Sequence, residues 1–328
     1  MNTVDEKIKS GEITASEVMA RPSLWKRGGL SWRELARRVW DEIYAGGLLT
    51  HAAALAFYFF FALFPLLLFL VTLLGFFAES GTALRENLLN YLRRLVPPSA
   101  FTLIYETVDE IGVNADGAQL WLGLLSALWF ASLGIAALSE SLNAMYGVRE
   151  SRAWLRVRLS AVALTIALVI LIMSALLMTL YGGEIGSGIA DYFRQGTLFA
   201  TVWTLIQVPL VLVFVLVSFA LIYYFAPDVY DQKWYWITPG SITGVALWLL
   251  VSFVLRLYLR HFDSYSLTYG SLGAVIILML WFYLTGVAIL IGGKINAEIE
   301  NAAAKAGVPE AKPHGEKTSE EQPADNLN

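Results

Sequence analysis

The chain has 328 residues, of which 57% are hydrophobic and only 15% are charged, and its mean hydropathy is +0.59. Soluble proteins carry about 25% charged residues, so this composition excludes an ordinary soluble fold and indicates a membrane protein. Cysteine is absent, which excludes disulfides and thiolate metal sites, and the net charge of −4 gives no general attraction to nucleic acid.

The first 47 residues are polar and are expected to form a cytoplasmic segment. Ser31 and Glu34 have the spacing of a helix capping box. Behind them, apolar residues recur at helical spacing, with arginines elsewhere on the same helix: Trp32, Leu35, Ala36, Val39, Ile43 and Tyr44, with Arg33, Arg37 and Arg38. This pattern predicts an amphipathic interfacial helix, which either lies on the cytoplasmic leaflet or packs on the protein's own cytoplasmic loops.

Six later stretches each hold the roughly 20 apolar residues that a helix needs to cross a bilayer. They lie near 48–77, 119–146, 159–181, 198–225, 238–259 and 270–297. The sequence therefore predicts an all-α, polytopic fold with six transmembrane helices, which form a membrane domain of residues 48–300.

The first span is longer than a bilayer requires and contains Pro65. Proline removes a backbone hydrogen bond and clashes with the preceding turn, so a helix kink is expected there. The region 78–118 that follows has two apolar stripes at helical spacing, separated by Pro97 and Pro98. We expect two amphipathic external helices, which form either a structural cap or a lid over a cavity.

Polar residues within or beside the spans are the candidates for a substrate path, because burying them in lipid is costly. They are Glu140, Asn143, Arg256, Asp263, Tyr265 and Tyr269. A purely structural explanation stands beside this one, since Glu140 and Asn143 can reach the interface from a span end. Arg256 can likewise extend to the surface along its own aliphatic stem.

Small residues open the last two spans, at Gly240 and Gly244 and again at Gly270 and Gly273. They predict close helix packing, with a mobile helix pair bordering a substrate path as the alternative. Lys294, Asn296 and Glu298 mark the exit of the last span and are interpreted as a cytoplasmic anchor. The segment 301–328 is rich in proline and charge and is predicted to be a disordered cytoplasmic tail.

The basic residues are unevenly divided between the two sides of this six-span arrangement. Both termini fall on one side, together with 17 of the 23 Lys and Arg residues, against 6 on the other. Since cytoplasmic loops are enriched in Lys and Arg, both termini are predicted to be cytoplasmic.

Catalytic signals are scarce in this sequence. The three histidines, His51, His261 and His314, have no metal-ligand spacing, and neither a nucleophile elbow nor a phosphate-binding loop is present. We therefore expect no enzyme activity, no cofactor and no bound metal.

Several motifs together resemble the YihY/BrkB family of bacterial inner-membrane proteins. They cover most of the chain from about residue 40 to 300 and lie at 54–58, 61–66, 142–148 with Arg152, 224–227, 239–240, 247–248, 258–274 and 296–298. The resemblance implies a six-span inner-membrane protein, and members of the family are suspected of roles in envelope biogenesis and lipid movement. One departure is Lys294, where the family pattern suggests an acidic residue. The family has also carried a ribonuclease BN label, which these residues do not support.

These observations favour a transporter or flippase-like protein for an envelope lipid or amphiphile. The alternative is a non-transporting scaffold for envelope biogenesis, and a ribonuclease is the least favoured interpretation. Membrane lipids are the expected partners, with a second copy of the chain or other envelope proteins as further candidates, and no nucleic acid.

Overall fold

The computed structural model describes residues 30–44, 47–77, 117–192, 197–229, 237–261 and 264–306, with isolated positions between 89 and 105. Seven helices fill these ranges, and no strand occurs in them. The helices are α1 (Trp32–Tyr44), α2 (Leu48–Phe77), α3 (Gly117–Tyr146), α4 (Trp154–Tyr192), α5 (Thr197–Phe225), α6 (Pro239–His261) and α7 (Ser264–Lys305). The all-α prediction is confirmed.

Five of these helices are long and apolar enough to cross a membrane, namely α3 to α7. The pair α1 and α2, bent by 63° between Tyr44 and Leu48, makes a sixth when its two helices are counted as one span. A polytopic helical membrane protein is therefore confirmed, with five or six candidate spans in the part of the chain that the structure describes.

Consecutive long helices run antiparallel, so α2, α4 and α6 begin where α3, α5 and α7 end. We call this the basal end of the bundle, and the opposite one the far end. The main apolar core lies towards the basal end and combines residues of all six long helices, including Leu55, Leu138, Leu164, Tyr223, Val245 and Leu290. Helix α7 packs against α1, α2, α3 and α6 and is the central element.

Helix α1 begins as the capping pattern predicts, because the Ser31 hydroxyl accepts a hydrogen bond of 3.1 Å from the Glu34 amide. It packs on the last turns of α7, where Leu35 and Val39 lie against Ile299. The protein's own surface thus covers one face of α1. Gly47, which precedes α2, has a φ of +82°, a conformation that favours glycine.

Two predicted spans, 159–181 and 270–297, are shorter than the helices that contain them. Helix α4 covers 154–192 because a helix tolerates the flanking arginines and polar residues that a search for apolar stretches leaves out. Helix α7 extends to Lys305, so residues 301–305 are helical, although the predicted disordered tail includes them. Residues 301–303 are buried beside α1, and this packing keeps them helical.

The kink at Pro65 and the external helices of 78–118 both stay predictions. Pro65 lies inside α2, which continues as helix to Phe77, and the kink expected there stays a prediction. The external helices predicted for 78–118 lie outside the described residues, apart from isolated positions and the start of α3.

Candidate functional site

Buried charged groups join α1 to α7 at the basal end. The Lys294 ammonium lies 2.8 Å from a carboxylate oxygen of Glu42 and 3.1 Å from one of Glu298. Arg38 donates to Glu298 at 3.1 Å and to Glu34 at 2.6 Å. The side chains of Lys294 and Glu298 are 8% and 7% exposed, so the ion pair between them is shielded from solvent, whereas the Arg38–Glu34 pair is partly exposed. We call these residues the α1–α7 clamp.

Asn296 of α7 caps the first turn of α6. Its Oδ1 accepts a 2.9 Å hydrogen bond from the Gly240 amide, and its Nδ2 donates to the Thr238 hydroxyl at 3.0 Å. Thr238 and Ser241 complete a reciprocal capping box, in which each backbone amide donates to the other residue's hydroxyl. Pro239 occupies the first helical position, where its missing N–H costs nothing.

Glycines let α6 and α7 approach each other closely beside this cap. A Cβ on Gly240 would lie 2.1 Å from the Gly292 carbonyl oxygen, and a Cβ on Gly292 would lie 2.2 Å from the Tyr223 hydroxyl. That hydroxyl donates to the Ile289 carbonyl at 2.8 Å and thereby joins α5 to α7. The close packing predicted for Gly240 and Gly244 is consistent with these distances, since a Cβ on Gly244 would also contact Tyr223.

A third polar group joins the ends of α3 and α5 through the 147–153 loop. Helix α3 ends in a Schellman motif, in which Gly147 has a φ of +68° and the Val148 amide donates to the Asn143 carbonyl. The Asn143 side chain donates to Glu150 at 2.8 Å and accepts from the Asp228 amide at 2.6 Å. We call the polar contacts among Asn143, Glu150, Ser151, Arg152 and Asp228 the loop network.

Arg152 is the cation of the loop network. Its guanidinium donates twice to Glu150, at 2.7 Å each, and once to the Ala226 carbonyl at the end of α5. The hydrogen bonds to Glu150 raise the pKa of Arg152, and the negative charges of Glu150 and Asp228 act in the same direction, against the effect of burial. A cation is also favourable near the negative end of the α5 dipole.

Arg158 occupies the first turns of α4 and is almost fully buried. Its guanidinium lies 4.3 Å from the centre of the Trp129 ring and donates to the Trp129 carbonyl. A cation over an indole face is stabilised by the ring quadrupole. Arg158 therefore fixes α4 against α3. It is also one of the basic residues from which the orientation in the membrane is predicted.

The predicted substrate-path residues fall at opposite ends of the bundle. Asn143 is buried in the loop network, whereas Glu140 is exposed on α3. Arg256 is exposed on α6, 17 residues beyond Pro239, which corresponds to about 25 Å along a helix. Tyr265 and Tyr269 lie on the first turns of α7 at the far end, with Gly270 and Gly273. Asp263 lies outside the described residues. As a substrate path, these residues remain a prediction.

Sequence reasoning missed most partners of the basal polar groups. Lys294 and Glu298 were interpreted as an anchor, although their four-residue spacing and their position in an apolar helix signal an ion pair. Glu42 and Asp228 gave no such signal, because their partners lie far away in the chain. No group of three or more histidine, cysteine or acidic side chains in the described ranges is arranged to hold a metal ion.

The fold defines the class as a polytopic helical membrane protein, and polar contacts among its described residues join the helices at the basal end. The sequence profile of the virulence factor BrkB family matches residues 39–316. The chain therefore belongs to the BrkB family, as the motif resemblance predicted.

Two relatives illustrate the range of similarity. YfkH of Bacillus subtilis (strain 168), whose name describes it as ribonuclease-like, is 38% identical over 249 residues, which are 75% of this chain and 88% of YfkH. The UPF0761 membrane protein IL2447 of Idiomarina loihiensis is 28% identical over 219 residues, which are 66% of this chain and 74% of that protein. No solved structure matches the chain.

Proposed function

We propose that the protein moves an envelope lipid or similar amphiphile across the bacterial inner membrane, with the basal end acting as a gate. The supporting observation is the set of buried polar contacts at the basal end of the bundle. The clamp, the Asn296 cap and the loop network all lie at the basal end. Breaking and reforming such contacts is a means by which helices can open and close a path.

The far halves of α5 and α6 differ from this basal end. Among their described side chains none is buried, and Leu205, Phe253 and Val254 are more than half exposed. Apolar side chains that face outward at membrane depth contact acyl chains. Polar contacts do occur further along the bundle, where Gln207 donates to the Met178 carbonyl and Trp281 donates to the Ser252 hydroxyl. The exposed apolar side chains on the far halves of α5 and α6 suit a substrate that enters sideways from the bilayer.

We further propose that the basal end faces the cytoplasm. The 147–158 segment, which connects α3 to α4, holds four arginines, and 17 of the 23 basic residues lie on the basal side of a six-span arrangement. Cytoplasmic loops are enriched in Lys and Arg, so this asymmetry supports the assignment.

The test is reconstitution of the purified protein in vesicles that carry a fluorescent phospholipid. Addition of a membrane-impermeant quencher measures how quickly the labelled lipid reaches the outer leaflet. The proposal expects faster movement than in protein-free vesicles and slower movement in Glu140→Ala and Arg256→Ala variants. A protein that moves neither lipid nor ions at more than the protein-free rate contradicts it.

The gate has its own test, because the chain has no native cysteine. The Ser151 hydroxyl lies 2.6 Å from an Asp228 carboxylate oxygen, so cysteines at these two positions can be joined by a short, reducible cross-linker. Cross-linking should stop lipid movement and reduction should restore it, while the single-cysteine variants stay unaffected. Movement that continues in fully cross-linked protein excludes a gate at this position.

The same basal contacts also support the alternative function as a scaffold, because a bundle that never opens transports no lipid. It predicts no lipid movement and stable co-purification with other envelope proteins. Photo-cross-linkers placed in the region 78–118 distinguish the two functions. A scaffold gives discrete protein adducts there, whereas a transporter gives mainly lipid adducts.

A further inference from the structure

In the part of the chain that the structure describes, the outward side of α1 is largely exposed, whereas its inward side packs on α7. Tyr44 follows Leu35 by nine residues, or two and a half helical turns, so the two side chains lie on opposite faces. Leu35 is buried against α7, whereas Trp40 and Tyr44 are 59% and 69% exposed and their ring centres lie 4.8 Å apart. Packing on α7 therefore leaves a second, aromatic surface uncovered.

Two arginines lie on the same side of α1 as this aromatic surface. Arg33 and Arg37 are exposed, with the Arg37 side chain 82% exposed. Arg37 pairs at 4.0 Å with Asp41, which lies about 40° further round the helix, and Glu34 pairs with Arg38. Aromatic rings beside exposed arginines match the boundary between water and an anionic lipid layer.

The bend after α1 provides the geometry for such a contact. Helix α1 leaves the line of α2 at 63°, so it runs across the basal end and does not continue into the bilayer. Trp154, at the start of α4, is also at the basal end and is 71% exposed. Exposed tryptophans near one level of a helical bundle are typical of the membrane interface.

We propose that the aromatic–arginine surface of α1 (Arg33, Arg37, Trp40 and Tyr44) binds the anionic headgroups of the membrane that holds the protein. The sequence of α1 is compatible with contact to lipid or to protein, and the two faces of the helix do both. Leu35 and Val39 contact α7, and the opposite face contacts lipid. This inference does not depend on the transported substrate or on transport taking place.

The test uses full-length protein with a single introduced cysteine and a polarity-sensitive fluorophore. Ala36→Cys lies beside the aromatic–arginine surface of α1, and Arg149→Cys lies in the loop after α3; both native residues are exposed. Each labelled protein is reconstituted in phosphatidylcholine alone and in an equal mixture with phosphatidylglycerol. Spin-labelled lipid should quench the label at position 36 several-fold more than at position 149, and more strongly in the anionic mixture.

An Arg33→Gln, Arg37→Gln double variant, also labelled at position 36, tests the headgroup assignment. It should lose the difference between the two lipid compositions and keep its melting temperature, because both arginines are exposed. Equal quenching at positions 36 and 149 in both compositions would overturn the proposal and would mean that the surface faces water or a protein partner. A lipid-composition effect that survives the double variant would overturn the assignment to these arginines.

Discussion

The Oδ1 atom of Asn296, on the last helix, accepts a hydrogen bond of 2.9 Å from the amide of Gly240, in the first turn of the helix before it. The first amides of any helix have no partner within the helix, so a side chain from elsewhere must satisfy them where water is excluded. Asn296 does so from a neighbouring helix and thereby fixes how α6 and α7 are aligned. A local capping requirement thus becomes a tertiary contact.

The first prediction concerns the close approach of α6 and α7. Gly240→Ala should destabilise the protein by about 3 kcal/mol or more, because the new methyl group would lie 2.1 Å from the Gly292 carbonyl oxygen. Gly183→Ala, in α4, is the matched control, since no atom lies within 4 Å of its added Cβ. The control should be neutral or slightly stabilising because alanine favours a helix. Thermal unfolding in detergent measures both, and equal melting temperatures would contradict the packing.

The second prediction concerns the clamp. Lys294→Met should destabilise the protein by about 3 kcal/mol, the low end of the range for a broken buried ion pair, because Glu298 loses Lys294 but keeps Arg38 as a partner. Arg37→Gln, which breaks an exposed ion pair with Asp41, should change stability by less than about 1 kcal/mol. Chemical unfolding in mixed micelles gives both values.

The double variant Lys294→Met, Glu298→Leu distinguishes the cost of an unpaired buried charge from the cost of altered side-chain packing. It removes both buried charges, so it should be more stable than Lys294→Met alone. A double variant less stable than the single one would mean that Glu298 contributes chiefly through Arg38.

The third prediction concerns Arg152 in the loop network. Arg152→Lys should destabilise the protein by about 1–3 kcal/mol, because a lysine cannot reproduce the paired hydrogen bonds to Glu150 together with the one to Ala226. Arg156→Lys, at an exposed position of α4, is the control and should be nearly neutral. Hydrogen exchange of residues 147–153 reports the local effect, and unchanged protection in Arg152→Lys would speak against the network.

The fourth prediction concerns orientation. With the basal end in the cytoplasm, a cysteine introduced at Arg149 should be protected from a membrane-impermeant maleimide in intact cells. A cysteine at Gln195, in the connection between α4 and α5, should react. Both should react after the membrane is permeabilised. The opposite pattern of reactivity would invert the proposed orientation.

The sequence alone determined that this is a membrane protein and where its apolar spans lie in the chain. Spans of about 20 apolar residues have few alternatives to a membrane helix, because unpaired backbone groups are too costly in lipid. The last residues of α3 and α5, Tyr146 and Phe225, agree with the ends of the predicted spans. Ser31 was recognised as a cap because capping depends on neighbours three residues away.

The tertiary structure decided how the polar residues are paired. Asn143 and Arg152 belong to one motif of the family resemblance, but that both contact Asp228, more than 70 residues later, depends on the antiparallel arrangement of α3, α4 and α5. Glu42 and Lys294 are much further apart in the chain and lie 2.8 Å from each other. Hydropathy determines that a helix is buried in lipid, and it carries no information about which polar side chains meet. Only the packing of the helices brings those side chains together.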